Sequence, residues 1–247
     1  ETQAVFLNRA RECDMLGDGL ETTNCRLWFA DQCGFMRKRR LKEAPNCQLK
    51  GIYQDKNQQT AFVALQVLRN ICGVDISRET IATGFAQVCT LTGLRGRWEV
   101  LSQQPLTICD TGHNGHGLQY VAEQLEKELA EKRTHYPAVR LHIVLGVVND
   151  KDVDTILGYL PQGASYYFTE PDTSRALSAN DLMARWRALH PSDLEHVYSY
   201  AKAMDALSAA QTNANAEDII FVGGSNYLVG EILSHMDEGD VEKCGKM

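Results

Sequence analysis

Hydrophobic residues in the second half of the chain fall into short continuous runs, and longer segments with apolar residues at helical spacing separate them. Such runs are typical of buried parallel strands, and the segments between them are typical of the helices that cover a parallel sheet. The predicted strands are 98–102, 106–110, 141–145, 165–168 and 219–222. The predicted helices are 118–132, 152–160, 179–189, 199–210 and 227–236.

The first half of the chain has a less regular pattern. The predicted elements are a helix at 3–16, short strands at 25–30 and 48–54, and helices at 57–71 and 77–91. Ser77 is the expected N-cap of the last of these helices. Because the pattern changes after Leu94 and glycines bracket a short polar connection there, we predict a domain boundary near 93–96, which divides 1–94 from 95–247.

The net charge of the chain limits its partners. It has 25 Lys and Arg against 32 Asp and Glu, a formal charge of -7, which argues against nonspecific binding to nucleic acid or to anionic lipid. Small anionic ligands remain compatible with this charge, because a local pocket can be cationic. No apolar run is long enough to cross a bilayer, and the first residues do not resemble a signal peptide. We therefore expect a cytoplasmic protein.

Cysteine and histidine spacing gives no sign of a metal site. The 8 cysteines lack the paired short spacing of zinc or redox motifs, and we interpret them as reduced thiols. His113 and His116 lie close together in the sequence, but no cysteine or third ligand accompanies them. We expect no metal to be bound by residues of this chain.

Polar and glycine residues follow several of the predicted strands. One such turn begins at Asp110 and includes His113 and Asn114, and another occupies 223–226. In an open parallel sheet, ligands bind beyond the carboxyl ends of the strands, where loops meet helix amino termini whose free N–H groups favour anions. These turns, together with those at 146–152 and 169–175, therefore mark the expected binding site.

Several segments carry the pattern of one enzyme family. They are Gly-Ile-Tyr-Gln at 51–54 with Asn-Gln-Gln-Thr-Ala at 57–61, Gly-Arg-Trp-Glu at 96–99, Asp-Thr-Gly-His-Asn at 110–114, Gly-Val-Val-Asn-Asp-Lys-Asp at 146–152 and Gly-Gly-Ser at 223–225. In this order they resemble folylpolyglutamate and dihydrofolate synthases, which are relatives of the Mur ligases. The resemblance covers nearly the whole chain. One departure is Gly115, which stands where the family usually has proline.

The resemblance implies both a fold and an activity. The fold is α/β, with a Rossmann-like, mainly parallel sheet domain of the Mur ligase C-terminal type at 95–247 and the last part of a central P-loop-type ATPase domain at 1–94. The activity is ATP-dependent addition of L-glutamate to the γ-carboxylate of a folate through an acyl phosphate. The chain contains no Gly-x-x-x-x-Gly-Lys-Ser/Thr motif, so the phosphate loop and the Mg²⁺ ligands are expected upstream, and the chain is expected to be inactive alone.

The resemblance also assigns residues to the nucleotide. Arg97 is expected to bring its guanidinium to the ATP phosphates as a catalytic group, and Asp110 to accept hydrogen bonds from the ribose hydroxyls. Asn57 is expected to contact the adenine edge. The alternatives are a surface ion pair for Arg97 and helix capping for Asp110 and Asn57.

Four further residues are assigned to the substrate side. His113 is expected to touch phosphate or orient the substrate as a second catalytic group, with Asn114 beside it. Ser225 is expected to hold a carboxylate of glutamate, and Arg175 to pair with glutamate or with the nucleotide. Ordinary structural turns are the alternative for each. The basic run at 37–40 is interpreted as an exposed loop, with attraction of the folate tail as the alternative.

The expected partners are small molecules: a folate or dihydropteroate, L-glutamate and ATP, bound by a monomeric enzyme. Two other functions stay open. One is a stand-alone nucleotide- or amino-acid-binding module that regulates a partner, and the other is a Mur-type ligase acting on cell-wall peptides. The residues that select the pterin are expected upstream, so dihydrofolate synthase activity also stays open.

Overall fold

The computed structural model describes residues 4–8, 30, 45–149, 152–193 and 195–244. The chain divides into two compact units, the first made of residues 1–46 and 55–86 and the second of residues 47–54 and 87–247. The second unit contains the sheet and every predicted site residue except Asn57. The boundary predicted near 93–96, between an ATPase portion and a ligase domain, stays a prediction.

The first unit is largely helical where it is described. Residues 4–8 are helical, α1 spans Gln54–Asn70 and α2 spans Arg78–Ala86. The helix predicted at 57–71 is thus confirmed. The predicted cap is also confirmed, because the Ser77 hydroxyl accepts the Thr80 amide at 3.0 Å. Outside the described residues lie most of the helix predicted at 3–16, most of the strand at 25–30, and the basic run at 37–40.

Two predictions for the segment 48–91 are corrected: the predicted helix is present but divided in two, and the predicted strand is wrong. The helix predicted at 77–91 breaks at Gln87 into α2 and a short α3 (Val88–Thr92). Gln48 stabilises this break between the helices. Its side-chain oxygen accepts the Cys89 amide at 2.9 Å and so satisfies a free donor at the start of α3. Residues 48–54 are not a strand. No strand among the described residues pairs with them, and the Gly51 carbonyl instead accepts the Gln54 amide at 2.8 Å in the turn that leads into α1.

The second unit is built on a six-stranded sheet with the order β1-β2-β6-β3-β4-β5. The strands are β1 (Glu99–Gln103), β2 (Leu106–Asp110), β3 (Leu141–Leu145), β4 (Ser165–Thr169), β5 (Val197–Tyr200) and β6 (Ile219–Gly223). β1 pairs with β2 in the antiparallel sense, and the other neighbouring strands are parallel. The predicted mainly parallel α/β fold is therefore confirmed.

Helices cover both faces of this sheet. The five longer ones are α4 (Gly115–Arg133), α5 (Val153–Tyr159), α6 (Ala179–Leu189), α7 (Ala203–Asn213) and α8 (Asn226–Cys244). One core contains apolar residues of α4, α5 and α6, and a second contains residues of α7 and α8. The central strands are buried on both sides, which explains their continuous apolar runs. None of the described helices is long and apolar enough to span a membrane.

The sequence pattern missed one strand. β5 pairs with β4, whereas a helix was predicted at 199–210, and the observed α7 begins only at Ala203. Tyr198 and Tyr200 stack on Tyr167 of β4, with ring centroids 5.4 and 6.3 Å apart. Pairing at a sheet edge and ring stacking are tertiary contacts, and they decide the conformation of a short segment more strongly than its local pattern.

A buried polar cluster lies near the amino ends of β3 and β6. His142 Nε2 is 3.3 Å from Asp218 Oδ2, and His142 Nδ1 is 3.1 Å from the Tyr167 hydroxyl. Burial lowers the pKa of His142, and Asp218 offsets this only in part. Burial acts to raise the pKa of Asp218, but hydrogen bonds from the Arg140 and Asn215 amides and from His142 outweigh it, so that the pKa is lowered.

We expect this cluster to make the protein less stable as the pH falls from about 7 through the lowered pKa of His142. The unfolded chain takes up a proton at His142 near its ordinary pKa of about 6.5, but the folded chain does so only at lower pH. Neutral His142 therefore contributes its full stability above the ordinary pKa of about 6.5. The contribution is lost as the pH falls through the lowered pKa of His142 in the folded chain. Calorimetric melting temperatures across this range should fall less steeply for His142→Asn than for wild type. The exposed His235→Asn should keep the wild-type slope, and an unchanged slope in His142→Asn would contradict the assignment.

Candidate functional site

The carboxyl ends of three neighbouring strands meet at one part of the sheet's rim. Asp110 of β2 and Leu145 of β3 are both register partners of Gly223 at the end of β6. The Gly146 amide donates to the Gly223 carbonyl at 3.3 Å. Three of the polar turns that the sequence placed after strands therefore begin side by side, as expected for a parallel sheet.

Asp110 lies at this rim and is fully buried, with 0% of its surface exposed. Its Oδ2 accepts the Tyr53 hydroxyl at 2.6 Å and the Trp98 amide at 2.8 Å, and its Oδ1 accepts the Gly112 amide at 2.7 Å. Burial raises the pKa of Asp110, while these donors and the charge of Arg97 act in the opposite direction. One carboxylate thus holds three separate segments of the chain together.

Arg97 lies between two residues in the left-handed backbone region. Gly96 has a φ of 71° and Trp98 a φ of 48°. A side chain at Gly96 would approach neighbouring side chains to 2.9 Å. A positive φ is energetically costly for tryptophan. Trp98 is retained there by its buried ring and by the hydrogen bond from its backbone amide to Asp110. Arg97 itself is half-buried, and its charge acts on the ionisation of both Asp110 and Tyr53.

An open cleft of about 500 Å³ runs along the same segment. Its charged lining residues are Lys50, Arg95, Arg97 and Glu99. Arg95 is held by Glu99 and by Asp237, each at 2.7 Å. Because these two carboxylates neutralise Arg95, Lys50 and Arg97 give the cleft its positive lining, which suits an anionic ligand.

His113 and Asn114 lie in the turn that connects β2 to α4. His113 is half-buried, with Nδ1 3.0 Å from the Thr111 carbonyl oxygen. Asn114 caps α4, because its side-chain oxygen accepts the Gly117 amide at 2.7 Å. The structural role considered for Asn114 is therefore present, and substrate contacts of both residues stay predictions.

Ser225 occupies the corresponding turn between β6 and α8. Its side chain is buried, and its hydroxyl accepts the Tyr227 amide at 3.1 Å. The preceding Gly224 has a φ of 98°, and a Cβ there would lie 2.9 Å from the Gly146 carbonyl oxygen. Only glycine fits both this φ and this close approach. Ser225 and Asp110 thus follow neighbouring strands at the same edge of the sheet.

Two predicted site residues remain, Arg175 and Asn57. Arg175 is exposed, its carbonyl accepts the Asn149 amide at 2.8 Å, and together they line a depression of about 290 Å³. Asn57 is an exposed residue of α1 and belongs to the first compact unit. The charge of Arg97 acts on Asp110, and the structure puts His113, Asn114 and Ser225 on turns at the same rim as Asp110.

Comparison with known proteins assigns this domain to a family. Residues 96–226, more than half of the chain, match the family described as Mur ligase, glutamate ligase domain. The chain belongs to this family. The matched span begins just before Arg97 and contains every predicted site residue except Asn57.

Named relatives of this glutamate ligase domain agree with the family. The dihydrofolate synthase/folylpolyglutamate synthase of Escherichia coli strain K12 is 29% identical over 73% of this chain and 38% of its own length. The probable bifunctional folylpolyglutamate synthase/dihydropteroate synthase of Haloferax volcanii is 30% identical over 74% of this chain and 20% of its own. The chain therefore spans well under half the length of these two relatives.

Solved structures show the same fold. The Escherichia coli enzyme FolC in complex with DHPP and ADP is 25% identical with a TM-score of 0.56, covering 74% of this chain and 40% of FolC. The Mycobacterium tuberculosis folylpolyglutamate synthase complexed with ADP is 23% identical with a TM-score of 0.62, covering 76% of this chain and 41% of that enzyme. The expected glutamate ligase architecture is confirmed.

The described residues of this glutamate ligase domain offer no clustered metal ligands. No group of three or more His, Cys, Asp and Glu residues that could hold a metal ion occurs among the described residues. His116, considered with His113 as a metal pair, is exposed and packs edge-on against Tyr120 with ring centroids 5.1 Å apart.

Sequence reasoning missed Tyr53. The residue belongs to the segment 51–54, which contributed to the family resemblance, but no role was assigned to it. Its hydroxyl binds Asp110, 57 positions further along the chain. The spacing of residues along the chain cannot predict a contact between positions so far apart. The Gly-x-Tyr turn just before a helix was the feature of the sequence that could have drawn attention to this tyrosine.

Proposed function

We propose that this chain is part of an ATP-dependent ligase that joins L-glutamate to the γ-carboxylate of a folate or of its glutamate tail. The observation that carries the proposal is the buried Asp110 at the rim of a glutamate ligase domain, with the charge of Arg97 acting on it and Arg97 lining a cleft beside it. The relatives named as folylpolyglutamate synthases, and their structures solved with ADP, support it.

The reaction requires an activated carboxylate, because a carboxylate oxygen is a poor leaving group. ATP transfers its terminal phosphoryl group to the folate carboxylate, which gives an acyl phosphate and ADP. The glutamate amine then attacks the acyl carbon, the bond to the phosphate oxygen breaks, and an amide and inorganic phosphate result. Such chemistry depends on positioning and on cations that meet the developing charge.

Arg97 is the proposed cation. Its guanidinium is permanently charged and offers a fork of donors that matches phosphate oxygens. The Trp98 amide donates to Asp110 at 2.8 Å, so the backbone next to Arg97 is held at the rim before a ligand arrives. Asp110 is the proposed acceptor for the ribose hydroxyls, and Asn57 the proposed contact of the adenine edge.

The substrate side is proposed to use the neighbouring turns. His113 and Asn114, at the start of α4, would face the transferred phosphate or the substrate, and Ser225, at the start of α8, would hold a glutamate carboxylate. Both helix starts favour anions, because their first N–H groups are unpaired within the helix. Arg175 is proposed to pair with glutamate or nucleotide, since it is exposed beside a shallow depression.

The location, oligomeric state, substrates and metal of the enzyme are proposed from the sequence alone. We propose a cytoplasmic, monomeric enzyme that uses a folate or dihydropteroate, L-glutamate and ATP, with Mg²⁺ held by residues outside the described part of this chain. The acidic charge of -7 supports small-molecule partners over nucleic acid and membrane surfaces.

We expect Arg97→Gln to weaken ADP binding to the purified chain by about 10- to 100-fold, the effect of losing a hydrogen bond from a charged donor to phosphate. Isothermal titration calorimetry with ADP measures this directly. The matched control is Arg185→Gln, because Arg185 is an exposed arginine paired with Asp154 at 3.0 Å on the surface. The control should bind ADP as the wild type does.

Two results would contradict the proposal. If the wild-type chain does not bind ADP, the nucleotide site is absent. If Arg97→Gln and Arg185→Gln bind ADP equally well, Arg97 does not meet the phosphates. A parallel assay should follow incorporation of radiolabelled L-glutamate into folate: ADP binding without incorporation fits a chain that supplies only part of the enzyme, whereas full incorporation would contradict the expected inactivity of the chain alone.

A further inference from the structure

Tyr53 gives Asp110 its one side-chain donor among the three hydrogen bonds described above. The Tyr53 hydroxyl lies 2.6 Å from Oδ2, a short distance typical of a hydroxyl bound to an ionised carboxylate. The Trp98 amide shares the same oxygen at 2.8 Å. Asp110 has no exposed surface, whereas Tyr53 is half-buried. A ligand can therefore reach this carboxylate only after a neighbouring group has moved.

Of the three donors, Tyr53 can move at the smallest cost. The Trp98 and Gly112 donors are backbone amides, and moving either would shift the chain itself. Trp98 is further held by its ring, which is 5% exposed and packs 6.4 Å from Phe221 between ring centroids. The Tyr53 hydroxyl, in contrast, leaves Asp110 by rotation about side-chain bonds.

We propose that Tyr53 gates the ribose site: its hydroxyl occupies the acceptor position of Asp110 that a nucleotide ribose hydroxyl must take, and it swings away when the nucleotide binds. This inference rests on the proposed function, in which Asp110 receives the ribose. Tyr53 is then a positioning residue that sets the affinity for nucleotides with ribose hydroxyls, without touching the reacting atoms.

The surroundings of Tyr53 fit a reversible gate. Burial and the charge of Asp110 raise the pKa of Tyr53 far above its ordinary value, although Arg97 partly offsets this. The phenol therefore stays protonated and remains a donor at every physiological pH. Its ring folds back over Gly51, where an added Cβ would lie 2.7 Å from the Tyr53 ring. Because Gly51 has no side chain, the Tyr53 ring has room to lie where its hydroxyl reaches Asp110, which is the closed position of the gate.

The test compares two nucleotides on the wild type and three variants. We expect Tyr53→Phe to bind ADP about 5- to 20-fold more tightly than wild type in isothermal titration, because the ribose no longer competes with the phenol for Asp110. Binding of 2′,3′-dideoxy-ADP, which has no ribose hydroxyl to place on Asp110, should be unchanged. Gly51→Ala, which pushes the ring from its closed position, should shift ADP binding in the same direction. Tyr136→Phe, at an exposed tyrosine, is the matched control.

A spectroscopic readout separates gating from mere stabilisation of the fold. With tyrosine labelled with ¹³C at Cζ, the Tyr53 resonance, assigned by its loss in Tyr53→Phe, should move when ADP is added. It should stay in place with 2′,3′-dideoxy-ADP. Melting temperatures of the variants confirm that each is folded during titration.

Each outcome decides the question. If Tyr53→Phe changes the affinity for both nucleotides equally, for neither, or weakens ADP binding, Tyr53 is not a gate, although Asp110 can still bind ribose. If neither the wild type nor the two gate variants bind ADP, the proposed function fails together with the gate. A Tyr53 resonance that ignores bound ADP would also overturn the gate and leave nucleotide binding intact.

Discussion

Replacing Asp110 with alanine is expected to lower the free energy of unfolding by about 3–5 kcal/mol, the range for removing one partner from a buried charged interaction. The change leaves the Trp98 and Gly112 amides and the Tyr53 hydroxyl without their acceptor. Unpaired buried donors are costly, because they have lost water without gaining a partner. Urea unfolding followed by circular dichroism measures the loss.

Two variants calibrate this result. Asp152 is an exposed helix cap, whose side chain accepts the Thr155 amide, and Asp152→Ala should cost only about 1 kcal/mol. Asp110→Asn keeps one acceptor oxygen but places an amide N–H₂ among donors, so its stability should fall between wild type and Asp110→Ala. Equal losses for Asp110→Ala and Asp152→Ala would show that the hydrogen bonds of Asp110 do not hold the rim together.

The second large effect is expected at Gly224, where alanine should destabilise the protein by about 2–5 kcal/mol. The left-handed conformation costs a non-glycine residue about 1–2 kcal/mol. A Cβ placed 2.8 Å from a methyl of Leu145 and 2.9 Å from the Gly146 carbonyl oxygen adds overpacking of about 1–3 kcal/mol. The backbone oxygen cannot rotate away, so the turn before Ser225 must shift.

Gly163 provides a closely matched control for this substitution. It also has a positive φ, of 76°, but an added Cβ there would meet nothing within 4 Å. Gly163→Ala therefore carries only the conformational cost, and its difference from Gly224→Ala isolates the close approach of the two turns. If both variants melt at the same temperature, the β3 and β6 turns are not packed as tightly as described, and the placement of Ser225 would be wrong as well.

Both predictions concern one edge of the sheet, because its order places β6 between β2 and β3. Asp110 ties the segments around residues 53, 98 and 112 to the end of β2, and Gly224 allows the β6 turn to press against the β3 turn. A rim packed this tightly can hold its polar side chains in place before a ligand arrives. Catalysis by positioning of the reactants requires such a rigid site.

Much of this protein could be predicted from its sequence. The bounds of β2, β3 and α6 agree with prediction, because each contains a strong apolar run or a clear helical repeat with a turn at either end. The polar turns after the strands and the family segments pointed to Arg97, Asp110 and Ser225. These signals are local. A local pattern predicts that a residue is buried or that the chain turns.

Only the tertiary structure decided which partner each residue meets. Nothing in the periodicity placed β5 at the sheet edge, because its pairing with β4 and its stacking on Tyr167 come from a distant segment. Nor could spacing show that Tyr53 donates to Asp110, or that Asp110 is buried with three donors already bound. Local sequence patterns were enough for most of the elements and for the polar groups at their ends. The order of the strands, set by packing across the whole unit, determined which of those groups come within hydrogen-bond distance.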